Sequence, residues 1–486
     1  MTQLTAEFGR PGGLKKTFSS LALFTISFGV MVGSAWIVII GDWFAKAGPF
    51  GAILGLTASA AFMSLVCMVY GELAARMPAS GGEIVYSYKV FGPTTAYWVS
   101  WIYTVPVLAF VVFEGIALTW MVNTLFPNFG TTTLYKLLGY DVSLGQVGIG
   151  VVIVLAMVIQ NYLGAEIAAG SQKVLTIAFL VIALAAIVVA LSLGSVDNLK
   201  PLVFSQDPNT HWWMGSMAIF SSGLVWFSGF QAIPPVIEER RSDVTFSLVT
   251  KVMVASIAFA ALFYGLVIIA VGMAVQWPSM LSSHMLTAAA FEKLLPGGWL
   301  AKAILVAGVI SILKVWNGAF LWATRVLLVQ SRAQFLPATF SSIHPKYRTP
   351  TKAVFLVGMV NIIGIAIGPG AILPILDAAA ACIGIAITSA PIALLVIRLK
   401  DKSSEEPVYK TPGGMLTIVL SIIGMVCLTA VAIIQPFVLS SAGIPISMQF
   451  LIGWVLIGAV RWMYLRRTLD PVATEYALIS RTETAA

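Results

Sequence analysis

The chain alternates between long stretches of almost continuous apolar residues and short polar stretches that carry most of its charge. Each apolar stretch holds about 20 or more mostly apolar residues, the length that an α-helix needs to cross a bilayer. We therefore predict an all-α polytopic membrane protein with twelve transmembrane helices. The approximate bounds of these spans are 16–46, 49–76, 94–126, 144–164, 168–194, 213–237, 246–276, 298–331, 350–367, 371–398, 414–437 and 446–465.

Composition supports this class. Of the 486 residues, 59% are hydrophobic and 10% are charged, whereas soluble domains carry about 25% charge. The three cysteines, Cys67, Cys382 and Cys427, fall in predicted spans, so we expect neither a disulfide framework nor a metal site. The first span is too long for a signal-peptide core, and no soluble domain is predicted.

The net charge is +8, and the basic residues are concentrated on one predicted side of the membrane. With the N-terminus inside, 22 of the 28 Lys and Arg residues face the inner side and Lys314 falls within a span. Five basic residues remain on the outer side, namely Lys46, Lys136, Lys200, Lys293 and Lys302. This asymmetry satisfies the positive-inside rule. It predicts both termini in the cytoplasm and argues against nucleic acid as a partner. The expected location is the plasma membrane, as in a bacterial inner membrane.

The first span is interrupted by small residues. Gly29, Gly33, Ser34 and Ala35 stand where a continuous membrane helix favours larger apolar side chains, and a glycine costs about 1 kcal/mol relative to alanine in a helix. Broken backbone is tolerated within a membrane only where protein or a water-filled cavity satisfies its polar groups. The alternative is close helix packing.

The sixth span contains a corresponding interruption. Its Trp226–Phe230 stretch mixes small and aromatic residues, and Pro234 and Pro235 follow. Paired breaks in the first span of each five-span half indicate an inverted-repeat transporter with a midplane site. The predicted organisation is a tail at 1–15, repeats at 16–200 and 201–398, spans eleven and twelve at 399–466, and a tail at 467–486. The last two spans are predicted to be scaffold or dimer contacts in a monomer or homodimer.

Two charged residues lie deep within predicted spans. Glu114 has more than a dozen mostly apolar residues on either side, and an acid in such a place marks a functional site unless it is a hydrogen-bonded structural residue. Lys314 is too deep to reach the surface easily. His211, His284 and His344 lie in loops without metal-binding spacing, so an enzyme is not expected and no cofactor is predicted.

The chain resembles the amino acid–polyamine–organocation (APC) transporters. The motifs that carry the resemblance are Gly33-Ser34-Ala35, Glu72 to Gly92, Asn161 to Gly164, Trp226 to Phe230, Thr324-Arg325 with Arg332 and Pro337, and Pro407 with Tyr409 and Pro412. Their order along nearly the whole chain implies a LeuT-like 5+5 inverted repeat with two additional helices. It also implies secondary transport of amino acids or related amines across the lipid bilayer.

The resemblance also implies a substrate site. Backbone N–H groups at the first break would bind the substrate carboxylate, carbonyls released at the two breaks would bind its ammonium, and span-six aromatic residues would form a lid or wall. The substrate-binding residues predicted in this way are Gly33, Ser34, Ala35, Trp36, Trp226, Phe227, Ser228, Gly229 and Phe230.

Several residues depart from the family pattern. Ala35 replaces the third small residue of the first break, and bulky Trp36 follows it. Gln231 replaces a frequent glutamate, and Phe179 stands where proton-coupled relatives often have a lysine. Lys314 stands where sodium-coupled relatives have ion-binding hydroxyls. We infer that its ammonium supplies the charge that sodium supplies elsewhere.

The predicted function is therefore sodium-independent, proton-coupled transport of neutral amino acids or small amines by alternating access, with Lys314 and Glu114 as coupling residues. The alternatives are a substrate exchanger in which Lys314 is a permanent cation, a purely structural pairing of Lys314 with Glu114 or Asp377, and a transport-silent sensor. A channel is disfavoured because paired breaks in an inverted repeat favour alternating access.

Overall fold

A computed structural model describes residues 16–33, 35–126, 128–283, 285–400, 407–439, 443–475 and 477–478. The predicted N-terminal tail, Ser34 and His284 lie outside these residues. The helices are α1 (Ser20–Met31), α2 (Ala35–Val38), α3 (Ile40–Arg76), α4 (Glu83–Phe91), α5 (Pro93–Leu125), α6 (Leu144–Leu163), α7 (Ala165–Leu193), α8 (Trp212–Trp226), α9 (Phe246–Ala274), α10 (Leu286–Leu294), α11 (Trp299–Arg332), α12 (Thr351–Ile367), α13 (Ile372–Lys400), α14 (Gly414–Leu439), α15 (Ile446–Leu465) and α16 (Pro471–Glu475). The strands are β1 (Thr133–Leu137) and β2 (Tyr140–Ser143).

Within the described residues, eleven helical segments are long and apolar enough to cross a membrane, so the polytopic helical class is confirmed. The predicted ninth span corresponds to α12, which has 17 residues and is shorter than the other eleven. The first two predicted spans meet inside α3, which kinks at Gly48 (φ 71°) before Pro49. Glycine adopts this positive φ without steric cost, and the proline starts a new helical run without needing an N–H partner.

The helices differ in how much of their surface other helices cover. In the most apolar window of α5 and of α11, 78% of the residues are buried, against 17% in α15. One attachment of α15 is a reciprocal contact between Trp101 of α5 and Trp454. Their rings stack 4.5 Å apart, and each indole N–H donates to the other residue's carbonyl oxygen at 2.9 Å. The site must therefore be sought among the central helices, while α15 lies at the periphery.

The outer loops contain more structure than the sequence indicated. The predicted loop at 127–143 holds the antiparallel hairpin of β1 and β2, which departs from the all-α prediction. Its two-residue turn, Leu138–Gly139, has positive φ at both positions (49° and 82°), as the favoured hairpin turns require. The Tyr135 hydroxyl donates to the carbonyl oxygen of Ala366 and thereby joins the hairpin to α12.

We call the side on which α1 begins the inner side, because the charge distribution predicts that it faces the cytoplasm. The segment that follows α3 on this side forms the short helix α4. Glu72 and Arg76, four residues apart near the end of α3, form an ion pair at 3.1 Å. Arg398 of α13 adds a second ion pair to Glu72 at 2.5 Å, and the Thr411 N–H donates to the same carboxylate. These contacts connect the inner ends of α3 and α13.

Candidate functional site

The first span breaks where the small residues predicted an interruption. Helix α1 ends at Met31, Val32 leaves helical geometry (φ −100°, ψ 86°), and α2 begins at Ala35. Gly33 has no room for a side chain, because a Cβ there would lie 2.3 Å from Oε1 of Glu114. The buried carboxyl group of Glu114 is therefore in contact with the break itself.

The second break lies against the first. Helix α8 ends at Trp226, and the chain continues as short 3-10 turns, Ser228–Ala232 and Pro234–Glu239. A Cβ on Gly229 would lie 2.4 Å from the carbonyl oxygen of Ser27 in α1. Glycine at this position thus lets the backbones of the two interrupted spans touch.

Side chains from α9 and α11 bind the carbonyls at the end of α1. The Lys314 ammonium donates to the carbonyl oxygen of Gly29 at 3.1 Å and also to that of Val32. The Ser311 hydroxyl lies within 2.9 Å of the carbonyl oxygens of Val32 and Gly33. These contacts satisfy groups that lose their helical partners at the break, and the negative end of a helix favours a cation.

Tyr264 completes this arrangement, since its hydroxyl donates to the carbonyl oxygen of Met31 at 2.8 Å. Neither Tyr264 nor Ser311 was predicted as a site residue. Signals for both were present, because Tyr264 is the one tyrosine in a mostly apolar span and Ser311 precedes Lys314 by three residues. That spacing places two side chains on one helix face.

The remaining surroundings of Lys314 are aromatic and acidic. Its side chain is fully buried, and the ammonium lies 4.6 Å from the ring centre of Phe179 and 5.8 Å from that of Phe28. Glu114 attracts it electrostatically. Asp377, the other acid considered as a partner, lies instead with Asp42 in a cavity on the outer side.

A chain of side-chain amides supports α1 beside this site. Gln160 donates to Asn317 at 2.6 Å, Asn317 donates to Gln172 at 3.0 Å, and Gln172 donates to the carbonyl oxygen of Thr25 at 3.1 Å. The amides come from α6, α11 and α7, so three helices fix the position of α1. None of these amides was predicted as a site residue.

The predicted aromatic residues do not form one wall. Trp36 packs against Phe179 at 5.9 Å, beside Lys314. Trp226 faces the outer cavity with Trp43 at 6.0 Å. Phe230 faces the inner side, where its ring lies 5.3 Å from that of Tyr70.

Phe227 lies between these directions, with its ring 6.1 Å from that of Tyr264. The hydroxyl of Ser228 donates to the Val225 carbonyl oxygen, within its own turn. The structure therefore brings Gly33, Glu114 and Lys314 together and connects Trp36 to Lys314 through the ring of Phe179, while the span-six aromatic residues point in different directions.

A buried ion pair lies on the inner side of this region. Arg325 of α11 holds Glu239 through two contacts of 3.0 and 3.3 Å, and both side chains are 1% exposed. The backbone N–H groups of Thr17 and Phe18 donate to the Glu239 carbonyl oxygen. The beginning of the chain, the end of the sixth span and α11 are thus joined at one place.

The chain matches a known protein family over most of its length. The family model described as "Amino acid permease" matches residues 18–460. The chain belongs to the amino acid permease family. The resemblance to APC transporters is thereby confirmed for nearly the whole length of this permease.

Two relatives of this permease come from Bacillus subtilis (strain 168). The branched-chain amino acid permease BcaP is 25% identical, over 93% of this chain and 94% of its own length. The aspartate-proton symporter is 24% identical, over 71% of this chain and 66% of its own length. By name, the first of these relatives is a permease and the second is a symporter.

Proposed function

We propose that this permease is a secondary active transporter of amino acids or related small amines, and that it works by alternating access in a bacterial plasma membrane. The single observation that carries the proposal is the contact between the two breaks, where Gly229 lies on the carbonyl of Ser27. Interrupted helices that meet at mid-membrane are typical of transporter substrate sites. The names of the two relatives favour amino acids as the substrate class.

The proposed architecture has twelve spans, with inverted repeats at 16–200 and 201–398 and two further spans at 399–466. The cytoplasmic tails are 1–15 and 467–486. The two breaks are then the first spans of the two repeats. The inner ion pair of Arg325 and Glu239 closes one side, so it has to break before the site opens to the cytoplasm.

The substrate would lie between the breaks, among the residues 33–36 and 226–230. In this conformation, side chains of the protein bind the carbonyl oxygens of Gly29, Met31, Val32 and Gly33. The substrate ammonium is therefore assigned to the carbonyls of the second break. Trp36 limits the space on the carboxylate side, which favours small neutral amino acids or amines.

Transport is proposed to be independent of sodium, because Lys314 already places a cation on the carbonyls of the broken helix. Broken-helix carbonyls coordinate sodium ions in other transporters. Proton coupling would use Lys314 together with Glu114. A substrate exchanger in which Lys314 keeps its charge throughout is the second candidate, favoured by the fully buried, well-bonded state of the ammonium.

The test begins with a thermal-shift screen of the purified protein against amino acids and amines. The compound that stabilises it most is then offered to proteoliposomes with and without an inwardly directed proton gradient. Accumulation that depends on the gradient supports proton-coupled transport, and uptake that depends only on internal substrate supports exchange. Stabilisation without any uptake would contradict transport and support a sensor.

A further inference from the structure

The inner side of the second break is bonded to a buried acid that has no part in the scheme above. Glu83 is the first residue of α4 and is fully buried. Its Oε1 accepts hydrogen bonds from the Tyr70 hydroxyl at 2.5 Å and from the Gln231 side-chain amide at 2.6 Å. Because Gln231 belongs to the 3-10 turn after Phe227, Glu83 is attached directly to the second break.

The Glu83–Gln231 pair contains two acceptor atoms that lack a donor. Oε2 of Glu83 and Oε1 of Gln231 are both buried, and among the described residues neither accepts a hydrogen bond of good geometry, although the Tyr103 hydroxyl is near enough to act on the carboxyl. A buried polar atom without a partner costs about 1–3 kcal/mol, and more when it is charged. One proton on Oε2 would supply the missing donor, because the O–H of a carboxylic acid can donate to the amide oxygen while its other oxygen accepts from the amide N–H.

The groups around Glu83 favour this neutral form. The titratable side chains that act on it are Tyr70 from α3, Tyr103 from α5 and Tyr86 from its own helix. The ion pairs among the described residues do not include Glu83. Burial raises the pKa of the Glu83 carboxyl, although hydrogen bonds from Tyr70, Gln231, Tyr103 and the Glu83 backbone N–H oppose the shift.

A second buried acid on the same side provides a contrast. Glu72 is bound by Arg398 at 2.5 Å and by Arg76 at 3.1 Å. Two guanidinium groups stabilise a carboxylate, so a proton is not needed there. Glu83 has phenols and an amide in place of arginines.

We propose that Glu83 binds a proton while the inner side is closed and releases it when Gln231 moves away. The proton forms an O–H bond at Oε2, comes from water and returns to water, so no other covalent bond changes. Glu83 would then link the protonation state to the position of the second break. The transport part of this proposal rests on the proposed function, whereas the protonation itself does not.

Infrared spectroscopy of the protein in lipid bilayers tests the protonation without any substrate. At neutral pH, the difference spectrum between the wild type and Glu83→Gln should contain the C=O band of a neutral carboxylic acid, and deuterium oxide should shift it. Glu72→Gln is the matched control: this variant should keep the band in its own spectrum, so the band should be absent from its difference spectrum with the wild type. A Glu83→Gln difference spectrum without the band would overturn the proposal.

Transport of radiolabelled L-leucine and L-aspartate by proteoliposomes tests the link to movement. Glu83→Gln imitates the neutral acid, so it should retain exchange between equal internal and external substrate and lose accumulation driven by a pH gradient. Gradient-driven accumulation equal to that of the wild type would overturn the link. Failure of the wild type itself to accumulate either amino acid would count against the proposed proton coupling, and the infrared band would still decide the protonation of Glu83.

Discussion

The ammonium nitrogen of Lys314 lies 3.1 Å from the carbonyl oxygen of Gly29, to which it donates a hydrogen bond. This contact joins a cation in the middle of α11 to the end of the interrupted first span. A buried lysine is costly in a membrane, and here the partial negative charge of a broken helix end offsets part of that cost. Lys314 thereby binds the backbone of the first break directly, through the carbonyl oxygens of Gly29 and Val32.

Replacing this cation is expected to separate coupling from exchange. Lys314→Met keeps much of the side-chain volume and removes the charge, so uptake driven by a proton gradient should fall to the level seen without a gradient. Exchange should persist if the two breaks keep their positions. The measurement is uptake by proteoliposomes over a range of pH.

The control for this variant is Lys302→Met, the same substitution at an exposed position of the same helix. It should transport like the wild type. Full gradient-driven uptake by Lys314→Met, with unchanged pH dependence, would remove Lys314 from the coupling mechanism.

Sodium is expected to have no effect on the wild type. The ammonium of Lys314 occupies the carbonyls of Gly29 and Val32, and a second cation there would be repelled. Exchanging sodium for N-methylglucamine should therefore change neither uptake nor melting temperature. In Lys314→Ser, these carbonyl oxygens become free to bind an ion, together with the hydroxyls of Ser311 and of the introduced serine. Sodium should therefore raise the melting temperature of this variant. A sodium effect on the wild type would refute this assignment.

Sequence reasoning could predict the breaks but not their contacts. Glycines and prolines within apolar spans are visible in the sequence, since they disfavour a helix wherever they stand. The acceptors of Lys314 are backbone carbonyls, which every residue carries, so only the positions of α1 and α11 reveal them. The sequence offered Glu114 and Asp377 as partners for Lys314, and only Glu114 lies close enough to act on it.

The same limit applies to the span-six aromatic residues. Trp226, Phe227 and Phe230 are near in sequence, but Trp226 ends α8, Phe227 leaves helical geometry (φ −112°, ψ 10°) and Phe230 belongs to the following 3-10 turn, so no single helical spacing relates their side chains. They consequently point toward the outer cavity, α9 and the inner side. The hairpin at 133–143 was not predictable for a related reason, because its turn places Leu138, rather than a glycine, at positive φ.

Gly229→Ala is expected to abolish transport. The new methyl group would lie 2.4 Å from the Ser27 carbonyl oxygen and 2.9 Å from the Met31 nitrogen, and both are backbone atoms that cannot rotate away. The two breaks would therefore have to separate. Uptake and melting temperature are the measurements.

A matched control for Gly229 is Gly265→Ala in α9, where a Cβ meets no atom within 4 Å. Alanine there should preserve transport and stabilise the helix by up to about 1 kcal/mol. Normal uptake by Gly229→Ala would show that the breaks tolerate separation and that their contact is not required.

Replacing one member of the inner ion pair is expected to lower the melting temperature more than replacing both members. Arg325→Met leaves the Glu239 carboxylate buried without its guanidinium, and losses of this kind typically cost about 3–5 kcal/mol. The double variant with Glu239→Met removes both charges and should recover part of the lost melting temperature. If the single variant is as stable as the wild type, Arg325 does not hold the inner side closed.

Stability should also depend on the proton of Glu83. Because burial raises the pKa of its carboxyl, the folded protein holds this proton to higher pH than the unfolded chain does. At a pH below the ordinary pKa of glutamate, both states hold the proton and the stability contribution is complete. As the pH rises from the ordinary pKa toward the raised pKa, the unfolded chain loses this proton while the folded protein still holds it, so the free energy of unfolding falls. Glu83→Gln should flatten this decline in melting temperature, whereas the exposed control Glu475→Gln should leave it unchanged. A decline of equal slope in Glu83→Gln would assign the pH dependence to another group.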